Sequence, residues 1–380
     1  MKKTIILLTV IVGFTANAQS WNLTGNAGTN PGTNFLGTSD NQSIVFKTNN
    51  VEKLKITPNG RFVFFNVTGA GQLFDKNLFF GGGVESSSAI LNTVFGMGAF
   101  TQNTIGAGNT SIGANVMSLA TSGDANTAIG SGAMRNTQTA KLSVAVGSNA
   151  LENLISGEGN VGVGVAAMGS ETLIGNNNVS VGNSAARYLK NGNENVIVGG
   201  NAFRALRTGS NNINLGASNA NLILSGNNNI FIGSNIVPYS STPDNELNIG
   251  NWIVGNNGTI GIGQFTNQLP GDGIAADGQK YKLFVKDGIR TEKVKVDIAS
   301  SNGWADYVFE KDYKLMSLNE LDQFISKNGH LPEVPTTKEA IENGIELKAM
   351  NILLLKKVEE LTLHAIEQQK RIEVLESKFK

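Results

Sequence analysis

Glycine recurs through the middle of this chain at a fixed interval. Gly96, Gly113, Gly130, Gly147 and Gly164 stand 17 residues apart, and after one step of 18 the series resumes as Gly182, Gly199, Gly216, Gly233 and Gly250. A 17-residue unit is too short to bury a core of its own, so successive units must stack, and stacking units of one length builds a solenoid. The residue before each glycine is apolar in all ten units: Phe95, Ile112, Ile129, Val146, Val163, Val181, Val198, Leu215, Ile232 and Ile249. Three before it comes Thr or an apolar residue: Thr93, Thr110, Thr127, Val144, Val161, Val179, Val196, Ile213, Ile230 and Leu247. Period-two alternation of β-branched residues predicts one short strand per unit with its apolar face buried.

Other columns run in the same register. Asn stands four before the glycine in eight of the ten units, as Asn92, Asn109, Asn126, Asn160, Asn178, Asn195, Asn212 and Asn229. Side chains stacked this way can hydrogen-bond up the column, as amides do in cross-β ladders. A breaker recurs seven before, at Gly106, Gly123, Gly157, Gly175, Gly192, Gly209, Gly226 and Pro243, which predicts a turn needing positive φ or close backbone approach. Four after the glycine lies a second apolar column, Phe100, Met117, Met134, Leu151, Met168, Ala186, Phe203, Ala220, Val237 and Val254. Its spacing suits a strand or one helical turn, and a strand is expected. The fold class is therefore mainly β: a parallel β-solenoid or β-roll of 17-residue repeats over 77–263, with Asn77–Gly81 and Thr259–Gly263 as irregular end coils.

The ends differ from the middle. Lys2 and Lys3, the apolar run Ile5–Phe14 and Ala16-Asn17-Ala18 read as a signal peptide over 1–18, with a mature chain from Gln19 and an N-terminal β region over 19–76. That run is too short for the roughly 20 residues of a membrane helix, and no later stretch approaches it, so no integral membrane segment is expected. Of 60 charged residues, 34 fall in 280–380 and only 14 in 77–263. The shift marks a linker over 264–280, around Leu269-Pro270-Gly271-Asp272-Gly273. Beyond it, 281–347 reads as a small α/β module, with strands at Tyr281–Val285 and Val294–Ile298 and a helix from about Ser317 to Lys327.

From Leu354, the residues Val358, Leu361, Ala365, Gln368, Ile372, Leu375 and Phe379 alternate by four and three, a heptad seam within a coiled coil over 348–380. Glu359, Glu360, Lys370, Arg371 and Glu373 flank it as a solvated face. Val358 and Ile372 at a with Leu361 and Leu375 at d favour two strands, while Ala365 and Gln368 leave the number open.

Composition removes many chemistries. The chain has no Cys, two His and a formal net charge of zero, which excludes disulfides, thiolate nucleophiles, Cys-bound zinc and a His-rich metal site. With no basic patch in a neutral chain, nucleic acid is not an expected partner. No catalytic, cofactor-binding or metal-ligating residue is assigned, and no cofactor. Gly157-Glu158-Gly159-Asn160-Val161-Gly162 matches a dinucleotide fingerprint, yet it lies in repeat register with a strand after it, so it is read as repeat. Asp124 and Glu158 share a column two coils apart, about 9.6 Å by strand spacing, which would suit an inverting glycosidase. Lys141 lies between them, and an alternating charge ladder is expected instead. His330 is expected to pack or cap a turn, His364 to face away from the seam, and Trp304, Tyr307 and Phe309 to be core.

Units such as Asn126-Thr127-Ala128-Ile129-Gly130-Ser131-Gly132-Ala133-Met134 resemble the head repeats of trimeric autotransporter adhesins. The repeat is longer here, and no membrane barrel is visible, so self-secretion through one is not expected. The blocks Trp304–Phe309, His330–Pro335 and Leu353–Leu363, with Trp21–Asn26 and Asn34–Asn41 near the start, resemble phage-tail-fibre-like secreted bacterial proteins with a chaperone-like C-terminal domain. The resemblance implies a homotrimeric fibre or adhesin-like surface protein and carries no established substrate. The expected location is secreted or cell-surface, with the periplasm as the alternative, a dimer is the alternative to the trimer, and a surface glycan or protein is the candidate ligand. Some tail-spike chaperones trim themselves with a Ser and a nearby Lys. The Ser-Asp start of that motif is missing at Ser300-Ser301, and a structural loop is expected there. A glycan-hydrolysing or self-cleaving tail spike is the alternative function.

Overall fold

A computed structural model describes residues 22, 24–64, 77–83, 88–275, 278–297 and 304–379. The signal-like segment and Ser300-Ser301 lie outside them. The chain is mainly β, a parallel β-solenoid with 17-residue spacing followed by a long C-terminal helix. It forms two compact units, Met1–Asn177 and Asn178–Lys380.

The first unit begins with an antiparallel sheet of β1 (Ile44–Thr48), β2 (Val51–Ile56) and β3 (Phe62–Phe64). Asn49 and Asn50, both left-handed at φ 47° and 57°, make the two-residue turn between β1 and β2. The solenoid follows as β4 (Leu78–Phe80), β5 (Thr93–Phe95), β6 (Thr110–Ile112), β7 (Thr127–Ile129), β8 (Val144–Val146) and β9 (Val161–Val163). Each strand pairs in parallel with the next in strict repeat register, as Thr110 with Thr127 and Ile112 with Ile129. The irregular first coil thus joins the ladder as β4.

In the second unit β10 (Val179–Val181), β11 (Val196–Val198), β12 (Ile213–Leu215), β13 (Ile230–Ile232) and β14 (Glu246–Ile249) continue the same parallel register. The pattern then reverses. β15 (Ile253–Asn256) and β16 (Thr259–Ile262) run antiparallel across an Asn257-Gly258 turn with φ 48° and 81°. This hairpin, with β17 (Leu283–Val285) beyond it, covers a strand edge that would otherwise expose unpaired backbone. The linker packs here too: Leu269 is buried and its carbonyl accepts from Asn256 Nδ2 at 2.7 Å.

The interior of each coil has two sources. One is the middle residue of each strand, Val94, Ser111, Ala128 and Ala145 in the first unit and Ser180, Ile197, Asn214 and Phe231 in the second, all fully buried. The other is the second apolar column, where Phe100, Met117, Met134, Leu151, Met168, Ala186, Phe203 and Ala220 are fully buried while Val237 is exposed. This column is not the expected strand. It lies in a tight turn, with left-handed φ of 48° at Met117 and 49° at Leu151, and hydrogen bonds such as Thr137 N–H to Met134 O at 3.1 Å. A strand would send alternate side chains out of the narrow lumen, whereas the turn aims one bulky side chain into it.

The expected amide column is present. Asn109 Nδ2 donates to Asn92 Oδ1 at 3.0 Å and to Gly123 O at 2.7 Å, and Asn126 repeats both bonds one coil on. The position seven before the repeat glycine therefore supplies the carbonyl that the ladder amides meet, from Gly123 for Asn109, Gly226 for Asn212 and Pro243 for Asn229, with Ala140 in that place for Asn126. Ser143 occupies one gap and passes the chain on by accepting from Asn160 N–H at 3.2 Å. Glu246 occupies the other, at the end of the column in the second unit, where its N–H donates to Asn229 Oδ1 at 2.8 Å.

Glu246 is 1% exposed, and its Oε2 has no hydrogen-bond partner. Burial raises its carboxyl to about 7, against a smaller lowering from the Tyr239 N–H. Because the folded form holds its proton where the unfolded form has lost it, stability falls as pH rises from about 4.5 to 7 and levels off above. The loss is at most about 3 kcal/mol before solvent screening. Glu246→Gln should remove this pH dependence and melt higher than wild type at pH 8, which thermal melts at pH 5 and pH 8 will check.

The C-terminal module holds a 3-10 helix at Ala305–Phe309, α1 (Leu318–Asn328), α2 (Thr337–Asn343) and α3 (Leu347–Lys378). α1 and α2 start in capping boxes, Ser317 with Glu320 and Thr336 with Glu339, and Gly329 closes α1 in the left-handed region. Val294–Asp297, expected as a strand, is irregular, while Tyr281–Val285 shortens to β17.

Candidate interaction surface

The strand residues expected to be buried point outward. In the second unit Val196 and Val198 are each 37% exposed, and Ile213, Leu215, Ile230 and Ile232 match them closely. In the first unit Ile112 and Ile129 are exposed to the same degree, Phe95 more so, and Val144, Val146, Val161 and Val163 are half-buried. The period-two alternation is correct, but its faces are reversed. Volume is the reason in the coils filled by Met117 or Leu151, which admit only a small middle residue, while in other coils Val94, Ile197 and Phe231 themselves occupy the lumen. At Gly162 an added Cβ would stand 2.8 Å from Leu151 Cγ, and Ser111 Oγ lies 3.2 Å from Met117 Sδ. The signal was in the sequence, since Ser111, Ala128, Ala145, Gly162 and Ser180 between bulky neighbours are what a crowded lumen accepts.

Parallel pairing in strict register lines these outward residues into two continuous apolar columns in the second unit and one in the first, where the other column carries Thr93, Thr110 and Thr127. Contiguous exposed apolar patches beyond roughly 300–600 Å² mark interaction surfaces on soluble proteins, and two such residues per coil over five coils reach about that size. The surface is flat and carries no charged side chain within the columns.

One rung of the expected charge ladder forms. Lys141 Nζ lies 3.2 Å from Asp124 Oδ2, while Lys141 and Glu158 are aligned by an isolated parallel bridge of their main chains. Both ends of the Lys141–Asp124 pair are solvent-exposed, and Asp124 Oδ1 also accepts from Ala107 N–H at 3.0 Å. The glycine fingerprint at 157–162 runs into β9 with no helix after it. His330 packs edge-on to Phe324 at 5.7 Å with Nδ1 2.9 Å from Leu331 O. Among the described residues no helix is long and apolar enough to cross a membrane.

In the C-terminal module the expected aromatic core is replaced by small residues. Ala305 and Val308 are buried, whereas Trp304, Tyr307 and Phe309 are exposed, because the short 3-10 helix turns only one narrow face to α3. Glu359, expected on a solvated face, is instead buried with His364, and Glu360 is half-buried. Burial and the Tyr313 hydroxyl act oppositely on the Glu360 carboxyl, and its partners Tyr313, Lys357 and Lys356 hold it below the usual carboxylate range. Lys357 Nζ donates to Glu360 at 2.9 Å, and Lys356 Nζ donates to Glu333 at 2.7 Å. This cluster fixes one side of α3 to the module. The heptad side stays open, with Val358, Leu361, Ile372, Leu375 and Phe379 all exposed.

Compared with family models, curated proteins and solved structures, the chain matches none.

Proposed function

We propose that the protein is a secreted, non-enzymatic homotrimer, a fibre or adhesin-like structural and binding protein whose solenoid sheets pack on one another through their outward apolar columns. The observation that carries this is the uncharged, in-register Val and Ile face. Other copies of the same chain fit it best, because a flat ladder repeating at the coil spacing is complementary to another with the same spacing. Covering each outward Val or Ile is worth on the order of 1 kcal/mol. The open heptad side of α3 is a second self-complementary surface, and three chains follow from the resemblance to adhesin heads and tail fibres. The coiled coil aligns the chains first, so that long-range strand stacking starts from matched ends. Three copies of a repetitive surface then bind ligands with avidity.

Light scattering on the full chain should give three times the chain mass, and deletion of 348–380 should give monomer. Because that deletion also uncovers Ala305 and Val308, the paired variant Ile372→Glu, Leu375→Glu is the cleaner test of the seam. A full-length monomer at micromolar concentration sinks the trimer. A truncated chain that still forms trimers removes the coil as organiser and leaves the sheet face.

A further inference from the structure

Between α3 and the segments 313–321 and 331–333 of the C-terminal module lies a cavity of about 360 Å³. Met316, Leu318 and Leu331 line it from the module, and Leu354, Val358 and Leu361 from α3. All six are exposed, by 39% to 66%. Leu354 and Leu361 stand at d and Val358 at a, so the cavity opens onto the heptad seam along one wall. Its acidic rim is already paired, Glu333 with Lys356 at 2.7 Å and Glu360 with Lys357 at 2.9 Å, which leaves the apolar walls to receive a partner.

The heptad register says what fits there. In a parallel coiled coil a residue at g faces the e residue of the following heptad on the neighbouring helix. Arg371 at g and Glu376 at e stand in that relation, an opposite-charge pair for two copies in register. In the single chain Arg371 turns to Glu367 at 2.5 Å, and its guanidinium has donors for both carboxylates. Past His364, which is buried at g, every described residue of α3 is exposed. Alongside the cavity the e residues are Leu355 and Thr362, which bring no charge to apolar walls, whereas past the module they become Gln369 and Glu376. Area points the same way. The seam residues Leu354, Val358, Leu361, Ile372, Leu375 and Phe379 expose on the order of 700 Å² per chain, below the roughly 800 Å² per partner of a standard interface, and Met316, Leu318 and Leu331 carry the total past it.

We infer that this groove seats α3 of a second copy, so that the module grips the neighbouring helix beside the seam and fixes its register. The inference rests on the homotrimer proposed above. It adds Met316, Leu318 and Leu331 to an interface that the heptads alone would confine to the helix. Because the groove flanks one side of α3, the contacts run head to tail around the axis and close with the ring. A small molecule fits less well, since ligand pockets enclose about 70–90% of their ligand and this cavity is open along a wall.

The test replaces Leu318 of the full chain with p-benzoylphenylalanine, which bonds on illumination to a C–H group beside it. A covalent product of twice the chain mass is expected, joined to α3 between 351 and 365 and mapped by mass spectrometry. Adding Met316→Glu and Leu331→Glu should lower its yield at least tenfold. The same photoreactive residue at Ile341, 79% exposed on α2 and outside the groove, should give no such product. Melting temperature verifies that each variant folds, and light scattering gives the assembly size. A product joined within one chain, a product on another part of the second copy, or none at all from a chain that scatters as a trimer overturns the groove and leaves the trimer. The α3 product from an assembly of two upholds the groove and overturns the trimer. A monomer that gives no product overturns both.

Discussion

Gly147→Ala is expected to destabilise the first unit by about 4 kcal/mol or more, placing it among the most damaging single substitutions available. Two effects add. Gly147 sits at φ 133°, a conformation that costs an L-residue on the order of 1–3 kcal/mol. An added Cβ would also stand 2.6 Å from Gly164 O and 2.7 Å from Gly164 C, both main-chain atoms of the next coil. Neither can retreat, because Gly164 N–H already donates to Val146 O at 2.8 Å. Gly200→Ala is the control, since nothing lies within 4 Å of its Cβ position, and it should change stability by less than about 0.5 kcal/mol. Urea unfolding followed by circular dichroism measures both. Equal midpoints would mean that the coils are not stacked at the spacing described.

Asn109→Ala should cost about 3–6 kcal/mol. The fully buried side chain donates to Asn92 Oδ1 and Gly123 O, and its Oδ1 accepts from both Asn126 N–H and Asn126 Nδ2 at 3.0 Å. Truncation leaves the Gly123 carbonyl and the Asn126 main-chain amide buried without these partners, and each orphaned group costs about 1–3 kcal/mol. Asn109→Ser should lose less, because at the equivalent place in another coil Ser143 Oγ still accepts from Asn160 N–H. The same unfolding experiment should rank wild type above Asn109→Ser above Asn109→Ala. Three coincident curves would deny the ladder any part in stability.

Periodicity made the backbone plan legible. Ten glycines 17 apart, with a single step of 18, dictated coils of nearly equal length, and the Asn and breaker columns identified one network, because ladder amides such as Asn109 and Asn212 meet the breaker carbonyl of the following coil. The start of α1 was equally readable, since Ser317 with Glu320 satisfies helix N–H groups locally, whereas α2 was not foreseen. What failed was inference from apolar character to burial. Ile112, Val198 and Ile213 were placed inside on hydrophobicity, yet the lumen was already taken by the turn column. The groove beside α3 was invisible for a related reason. Met316, Leu331 and Leu361 are scattered along the chain and converge only when α3 is laid against the module.

By itself, then, the sequence determined that the chain is a series of nearly equal stacked coils with irregular end coils and a long C-terminal helix, because a fixed repeat length and local caps act through nearest neighbours. Only the tertiary structure decided which side of each strand faces the lumen, which turn fills it and which charges meet. Those depend on the volume enclosed by a closed coil and on the register between coils, and neither exists until the chain has wound back onto itself.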